Sequence, residues 1–300
     1  MADIKAWLRA ARLRTLPLSV SGILVGSFYA FSQGYKSWLI LGFALLTTLG
    51  LQVLSNFAND YGDGVKGTDN KNRIGPQRAI QSGAITVAAM KRGIIITSLL
   101  TLVAAVILIY LSFGKENFAY SLFFFFLGLA AIAAAIKYTV GSSAYGYRGL
   151  GDIFVFIFFG LVSVLGCYFL FAKDLNALVV LPAISIGLLS VAVLNLNNMR
   201  DRISDAQSGK NTLVVQMGEE KAKVYHFIVV ITASISILLF AIFSSFKAIQ
   251  YLFLVAYIPL VIHLKAVAKN KEPRDLDPEL KKVALNTFLL AVLLSIVVQF

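Results

Sequence analysis

Nine runs of about 20 mostly apolar residues constrain this chain more than any other feature, because a helix needs about that many to cross a bilayer. They fall at about 16–33, 38–58, 93–113, 118–138, 152–172, 176–196, 225–244, 248–266 and 283–300. Nine such spans leave no room for a sizeable soluble domain, so residues 1–300 read as one all-α, membrane-embedded helical bundle. Composition agrees. The chain is 58% hydrophobic and 14% charged, with a mean hydropathy of +0.80, whereas a soluble domain carries about 25% charged residues. The first run follows Lys5, Arg9, Arg12 and Arg14, as the apolar core of a secretory leader would. Its length, a poor cleavage motif and the spans that follow make it a permanent first helix instead. The lone Cys167 excludes an internal disulfide.

In a soluble protein the net charge of +12 would suggest nucleic acid. Here the charge is sorted by side. With the N-terminus placed in the cytoplasm, the inside segments hold 23 of the 27 lysines and arginines. The outside loops hold only Lys36, Lys115, Lys173 and Lys247. That asymmetry is the positive-inside pattern. It predicts a multi-pass protein of the cell (inner) membrane with a cytoplasmic N-terminus, and it accounts for the basic balance without nucleic acid. Two long polar segments, about 59–92 and 197–224, then lie on the cytoplasmic face. Long loops in compact proteins tend to carry function.

Both segments open on acids. Asn56, Asn59, Asp60 and Asp63 are spaced three and four apart, which places them on one helical face at the end of span 2, with Asp69 beyond. Asn197, Asn198, Asp201 and Asp205 repeat the pattern at the end of span 6. Asn59–Asp63 and Asn197–Asp201 read as copies of one another. Solvated loop charge is the plain alternative, but two matching faces on one side of a membrane argue against it. Ionisable groups near membrane depth mark function by default, and clustered carboxylates stay ionised only if cations neutralise them. No Cys or His accompanies them, which argues against zinc and other soft-metal sites. Mg²⁺ takes one or two carboxylates together with waters and phosphate oxygens. The set therefore suits a diphosphate bridged to the protein by Mg²⁺. Lys66, Lys71, Arg73, Arg78, Arg200 and Lys210 lie within a few residues and suit phosphate oxygens. Gly64, Gly67, Gly75, Gly83 and Gly209 are expected to let the backbone approach a ligand. His226 and His263, near helix ends, read as interfacial fillers. Trp7 and Trp38 suit the interface belt.

At these residues the chain resembles the UbiA superfamily of intramembrane aromatic prenyltransferases. The stretches that carry the likeness are NDYGD at 59–63 with KGTD at 66–69, running on to RIGPQR at 73–78. KYTVG at 137–141, YGYRGLGD at 145–152, NNMRD at 197–201 through Asp205, GKNTL at 209–213 and RLRTLP at 12–17 complete it, across essentially the whole chain. Within the superfamily, the RIGPQR and YGYRGLG elements resemble the branch acting on 1,4-dihydroxy-2-naphthoate in menaquinone synthesis. The resemblance implies a polyprenyl diphosphate donor. It implies Mg²⁺ held by the catalytic acids Asp63, Asp69, Asp201 and Asp205, with Asn59 and Asn198 as neutral ligands. Around the substrates it implies Arg14, Asn56, Asn59, Asp60, Lys66, Arg73, Arg78, Tyr138, Tyr145, Arg148, Asn197 and Lys210.

Within that implied site, Arg73, Arg78 and Lys210 would stabilise the departing diphosphate. Tyr61, Tyr138, Tyr145 and Tyr147 would shield an allylic cation through their ring faces. Arg14 or Arg148 would take the acceptor carboxylate, and each reads equally as a snorkelling anchor. Asp60 reads either as a metal ligand or as the partner of a loop arginine. The prenyl tail would lie in a groove open to membrane lipid. Three positions depart from the family pattern: Asp63 and Asp69 are six apart where four is common, Asp152 stands where Glu is expected, and Ser142-Ser143 replaces a Gly-Pro-like pair. The rival readings are a prenyltransferase for another acceptor such as 4-hydroxybenzoate, a cation-coupled transporter, whose site would lie near the midplane on broken helices, and a non-catalytic scaffold.

Overall fold

The computed structural model describes residues 3–69 and 74–300. Among these, all regular structure is helical, and nine stretches are long and apolar enough to cross a membrane. The first is divided. A short amphipathic helix α1 (Ile4–Ala11) meets α2 (Leu16–Ser32) at Arg12, which takes a left-handed conformation with φ +50°. There follow α3 (Trp38–Val65), α4 (Val87–Phe113), α5 (Phe118–Lys137), α6 (Gly151–Ala172) and α7 (Ala177–Gln207). A short α8 (Leu213–Met217) precedes α9 (Glu219–Phe243), α10 (Ala248–Lys269) and α11 (Pro273–Val297). Leu99, Leu100 and Val103 on α4 and Ile258, Val261 and Ile262 on α10 are exposed. Such unpartnered apolar faces belong to lipid rather than water, and the chain is a multi-pass membrane protein.

Two helices outrun the expected spans. α3 and α7 continue to Val65 and Gln207, so Asn59, Asp60, Asp63, Asp201 and Asp205 sit on helix, and Asp69 lies just past the end of α3. Each helix stops at a glycine with positive φ, Gly67 at +74° and Gly209 at +73°. Past each glycine the chain folds back. Thr68 N–H donates to the Asp63 carbonyl at 3.0 Å, and Lys210 N–H donates to the Asp205 carbonyl at 2.8 Å. This is a glycine-terminated helix cap used twice. It pairs Asp63 with Asp205 and Asn59 with Asp201, a register four residues away from the Asn59–Asp63/Asn197–Asp201 pairing expected from sequence. Gly67, Gly83 and Gly209 have positive φ and nothing within 4 Å of where a Cβ would stand, so turn conformation is what calls for glycine there.

One large apolar core joins α2, α6, α7, α9, α10 and α11, and a smaller one joins α1, α3, α4 and residues 79–85. α6 crosses α7 through Gly160 and Gly187. A Cβ on Gly160 would stand 2.6 Å from the Ala183 carbonyl oxygen and 2.7 Å from Gly187 Cα. Both obstacles are backbone and cannot swing aside. Gly160→Leu is therefore expected to destabilise the fold by about 2 kcal/mol through overpacking, visible as a lower unfolding temperature in detergent. An unchanged transition would show that the two helices are free to separate.

His226 and His263 are not interfacial. Both are fully buried, with Nε2 atoms 2.7 Å apart, and His263 Nδ1 lies 2.6 Å from the Glu279 carboxylate. They form a polar seam that ties α9, α10 and α11 together, because a buried polar ring needs a hydrogen-bonding partner.

Candidate active site

A cavity of about 410 Å³ opens among α2, α3, α4, α5, α6, α7 and α11. Most of its wall is apolar, including Leu108, Phe124, Ala131, Phe158 and Val162. One end is polar and carries Asn59, Asp63, Arg78, Asn197, Arg200, Lys210 and Asp277. Apolar walls with a few convergent polar groups are the usual form of a small-molecule site.

The polar end is built by the two helix caps. Because Gly209 turns the chain back, Lys210 drops between the copies, with Nζ 3.7 Å from Asp63 Oδ2 and 3.9 Å from Asp205 Oδ1. Burial draws the ammonium pKa down, but Asp63 and Asp205 more than offset it, and the group stands above its ordinary value. Tyr147 O–H donates to Asp63 Oδ1 at 2.8 Å, and Thr68 Oγ1 lies 2.6 Å from the same hydroxyl. Burial first, and Asp63 second, raise the Tyr147 pKa, so it remains a neutral donor. Lys66 lies 3.9 Å over the Tyr147 ring and donates to the Thr139 carbonyl at 2.8 Å. Arg78 Nε lies 3.7 Å from Asp69 Oδ2. Arg200 forks onto Asp201, with Nε to Oδ1 at 2.9 Å and Nη2 to Oδ2 at 2.6 Å. It also donates to Asn197 Oδ1 at 2.9 Å and to Asp277.

Arg14, Asn59, Asp63, Arg78, Tyr138, Tyr145, Asn197 and Lys210 line the cavity directly. Asp69, Asn198, Asp201 and Asp205 are buried at this end, Asp201 and Asp69 behind their arginines and Asp205 beside Lys210. Asn56 is a scaffold residue, donating to the Ala11 carbonyl at 2.9 Å and to Thr15 Oγ1 at 3.2 Å. Asp60 turns the other way. Its carboxylate accepts the Ala79 and Ile80 N–H groups at 3.0 and 3.1 Å. It anchors the chain at Ala79 and Ile80, ahead of α4. Lys66 and Arg148 are exposed and outside the cavity wall. Arg73, like Lys71, lies outside the described residues. Asp60→Ala would strand two N–H groups, Ala79's being buried, at a cost of about 2 kcal/mol. The expected readout is faster tryptic cleavage within 66–86 and a lower unfolding temperature, and wild-type behaviour in both would refute the anchor.

The fit to a divalent cation follows from the donors. Carboxylate and amide oxygens are hard ligands. The Asn198 Oδ1 atom is buried without a hydrogen-bond partner, which is the condition of an oxygen available to a cation. Among the described residues, no three His, Cys, Asp or Glu side chains converge as a ready-made cage. Mg²⁺ does not need one, since it uses one or two carboxylates and completes its shell with water and phosphate.

Arg200 and Asp277 were not readable as a pair from sequence, although Arg200 lies beside Asp201. Arg12, Thr15 and Gln52 also line the cavity unforeseen, and Gln52 Nε2 donates to Thr15 Oγ1 at 3.3 Å. The available signal was the RLRTLP run itself, whose polar residues interrupt a helix start.

A helical membrane bundle with two acid-bearing helix ends meeting over a greasy cavity defines an intramembrane prenyltransferase. Residues 19–293 match the UbiA prenyltransferase family, and the chain belongs to it. The 1,4-dihydroxy-2-naphthoate octaprenyltransferase of Haemophilus influenzae is 43% identical over 296 residues, covering 98% of this chain and 95% of that protein. The protein of the same name from Escherichia coli is 44% identical, covering 96% and 94%. In solved structures, a UbiA homolog from Aeropyrum pernix superposes with a TM-score of 0.72 at 13% identity, covering 95% of this chain and 98% of that one. That likeness shows the fold. The family assignment displaces the transporter and scaffold readings.

Proposed function

We propose that this chain transfers a polyprenyl group from its diphosphate to 1,4-dihydroxy-2-naphthoate with loss of CO₂. The product is demethylmenaquinol or its quinone, on the route to menaquinone. We place it in the cell (inner) membrane as a single domain, with the N-terminus and the acid-bearing helix ends cytoplasmic. The observation that carries this reading is Lys210 seated between Asp63 and Asp205 at the polar end of an apolar cavity. It joins the charge of a diphosphate site to the greasy volume of a prenyl site. The names and full-length identity of the two bacterial relatives support the acceptor.

Asp63, Asp69, Asp201 and Asp205, with Asn59 and Asn198, would hold Mg²⁺, which when bound neutralises the diphosphate and stabilises its charge as it leaves. Lys210 and Arg78 face the cavity and stabilise the same developing charge. The allylic C–O bond breaks, and the cation meets aromatic faces. Tyr145 stacks on Phe154 with centroids 3.9 Å apart, and Tyr138 stands edge-on to Tyr145 at 5.3 Å. Burial raises the pKa of both tyrosines, so these rings stay neutral and offer π-faces rather than phenolates that would trap the cation. The naphthoate carbon bearing the carboxylate forms the new C–C bond. The C–CO₂⁻ bond then breaks, and its electron pair restores aromaticity. Arg14 would orient the carboxylate together with Arg12, a role supported by the position of both on the cavity wall, which Arg148 does not share.

The test is a membrane assay with a polyprenyl diphosphate, Mg²⁺ and either 1,4-dihydroxy-2-naphthoate or 4-hydroxybenzoate, read by mass spectrometry. A prenylated naphthohydroquinone one CO₂ lighter than the simple adduct, or its quinone two hydrogens lighter still after oxidation by air, formed only with Mg²⁺, is the expected result. Product from 4-hydroxybenzoate alone would overturn the acceptor. No product from either, with folded protein, would overturn the reaction.

A further inference from the structure

After a 3-10 turn at Pro273–Leu276, the first α-helical turn of α11 carries an acid, Asp277, that the reaction as proposed does not use. Asp277 lines the cavity beside Arg200, and its Oδ1 accepts from Arg200 Nη1. Arg200 is only 2% exposed, and three more of its N–H groups go to both oxygens of Asp201 and to Asn197. One guanidinium therefore stands between two carboxylates from different helices. Both oxygens of Asp201 accept from the fork, and Asp201 is one of the acids assigned above to a divalent cation.

We propose that Asp277 is a positioning residue acting through Arg200: it shares the guanidinium with Asp201 and so sets how readily Asp201 turns to a divalent cation. This rests on the metal reading of Asp201. Arg200 cannot lose its proton, and its planar fork matches a carboxylate with two parallel bonds. In a buried place such a pair is held strongly, and a charge without a partner is costly. When Asp201 takes a cation, the cation and Arg200 compete for the charge of one carboxylate, and the fork onto it weakens. Asp277, with a side chain 37% exposed, keeps the guanidinium paired as that happens. Without Asp277 the whole guanidinium charge falls on Asp201, and an incoming cation has to displace it unaided. An acid in the first turn of a helix also favours that helix terminus, which is the plain structural account of Asp277. The two accounts differ in whether the effect passes through Arg200.

The experiment measures Mn²⁺ binding to the purified full chain in detergent, by the paramagnetic signal of the free ion and without substrate. Asp277→Asn is expected to weaken Mn²⁺ about tenfold, the usual scale for loss of a partner behind a ligand. Asp277→Glu, which keeps the charge, is expected to restore binding to within about threefold of wild type. In an Arg200→Gln background, Asp277→Asn is expected to shift the affinity by less than about twofold, because the route of action is gone. Equal weakening in both backgrounds would make Asp277 a direct ligand or a purely structural acid and overturn the proposal. So would Asp277→Asn binding as tightly as wild type. A wild-type chain that binds no Mn²⁺ would instead overturn the metal reading, and the proposal with it.

Discussion

Asp63→Asn and Asp201→Asn, each made alone, are expected to lower prenyl transfer by at least about a hundredfold while the protein still inserts and folds. The scale is that of removing one preorganised charge from a site where charge develops in the transition state. Asp63 and Asp201 belong to different helices, α3 and α7, and each answers to its own cation, Lys210 and Arg200. Asparagine keeps the shape and one oxygen but removes the charge. The loss therefore tests electrostatics rather than packing. Folding should survive, because the amide oxygen introduced on α3 can still accept the Tyr147 hydroxyl, and the one introduced on α7 can still accept one Arg200 N–H. Product would be counted by mass spectrometry per unit of folded enzyme. Either variant turning over at the wild-type rate would sink the assignment of these acids to the diphosphate end.

Much of this arrangement could be read before any coordinates, and the parts that could not have physical reasons. The nine spans follow from length and hydropathy, which are local quantities. Their ends do not. Asn59, Asp60, Asp63 and the 197–205 stretch look polar and loop-like, yet a helix propagates until something stops it, and here the stops are Gly67 and Gly209. Spacing placed Asp60 with Asp63, but one helical face is broad. Asp60 lies on its flank, where the Ala79 and Ile80 amides take it. The Arg200–Asp201 pair was hidden because adjacent helical residues are not expected to face each other. Its completion by Asp277 was hidden because the partner lies 77 residues away. Arg14 and Arg148 looked alike as carboxylate binders in sequence. Only packing separates them, one on the cavity wall and the other away from it.

Lys210→Met is expected to be the most damaging single change to the fold as well as to turnover. Lys210 is buried, and the methionine would fill much the same volume without charge. Asp63 and Asp205 would then face each other across a space with no cation within it. Removing one partner of a buried pair costs about 3–5 kcal/mol, because the remaining charge is uncompensated. A sharp fall in unfolding temperature is expected at neutral pH. The sign of the pH dependence is fixed by the direction of the Lys210 shift. Its pKa in the folded protein lies above the ordinary value of 10.5, so its contribution is complete below that value and fades only as pH rises through the raised one. The wild-type advantage over Lys210→Met should therefore hold across neutral and mildly alkaline pH and narrow only in strong alkali. The cause can be isolated by a second substitution. Lys210→Met with Asp205→Asn removes one of the stranded charges and should recover part of the lost stability, although each change alone destabilises or inactivates. Such coupling is the mark of residues in one charge network. If the double variant unfolds at the sum of the two single losses, Lys210 is not the counter-ion of these acids, and the electrostatic account of the cavity's polar end fails with it.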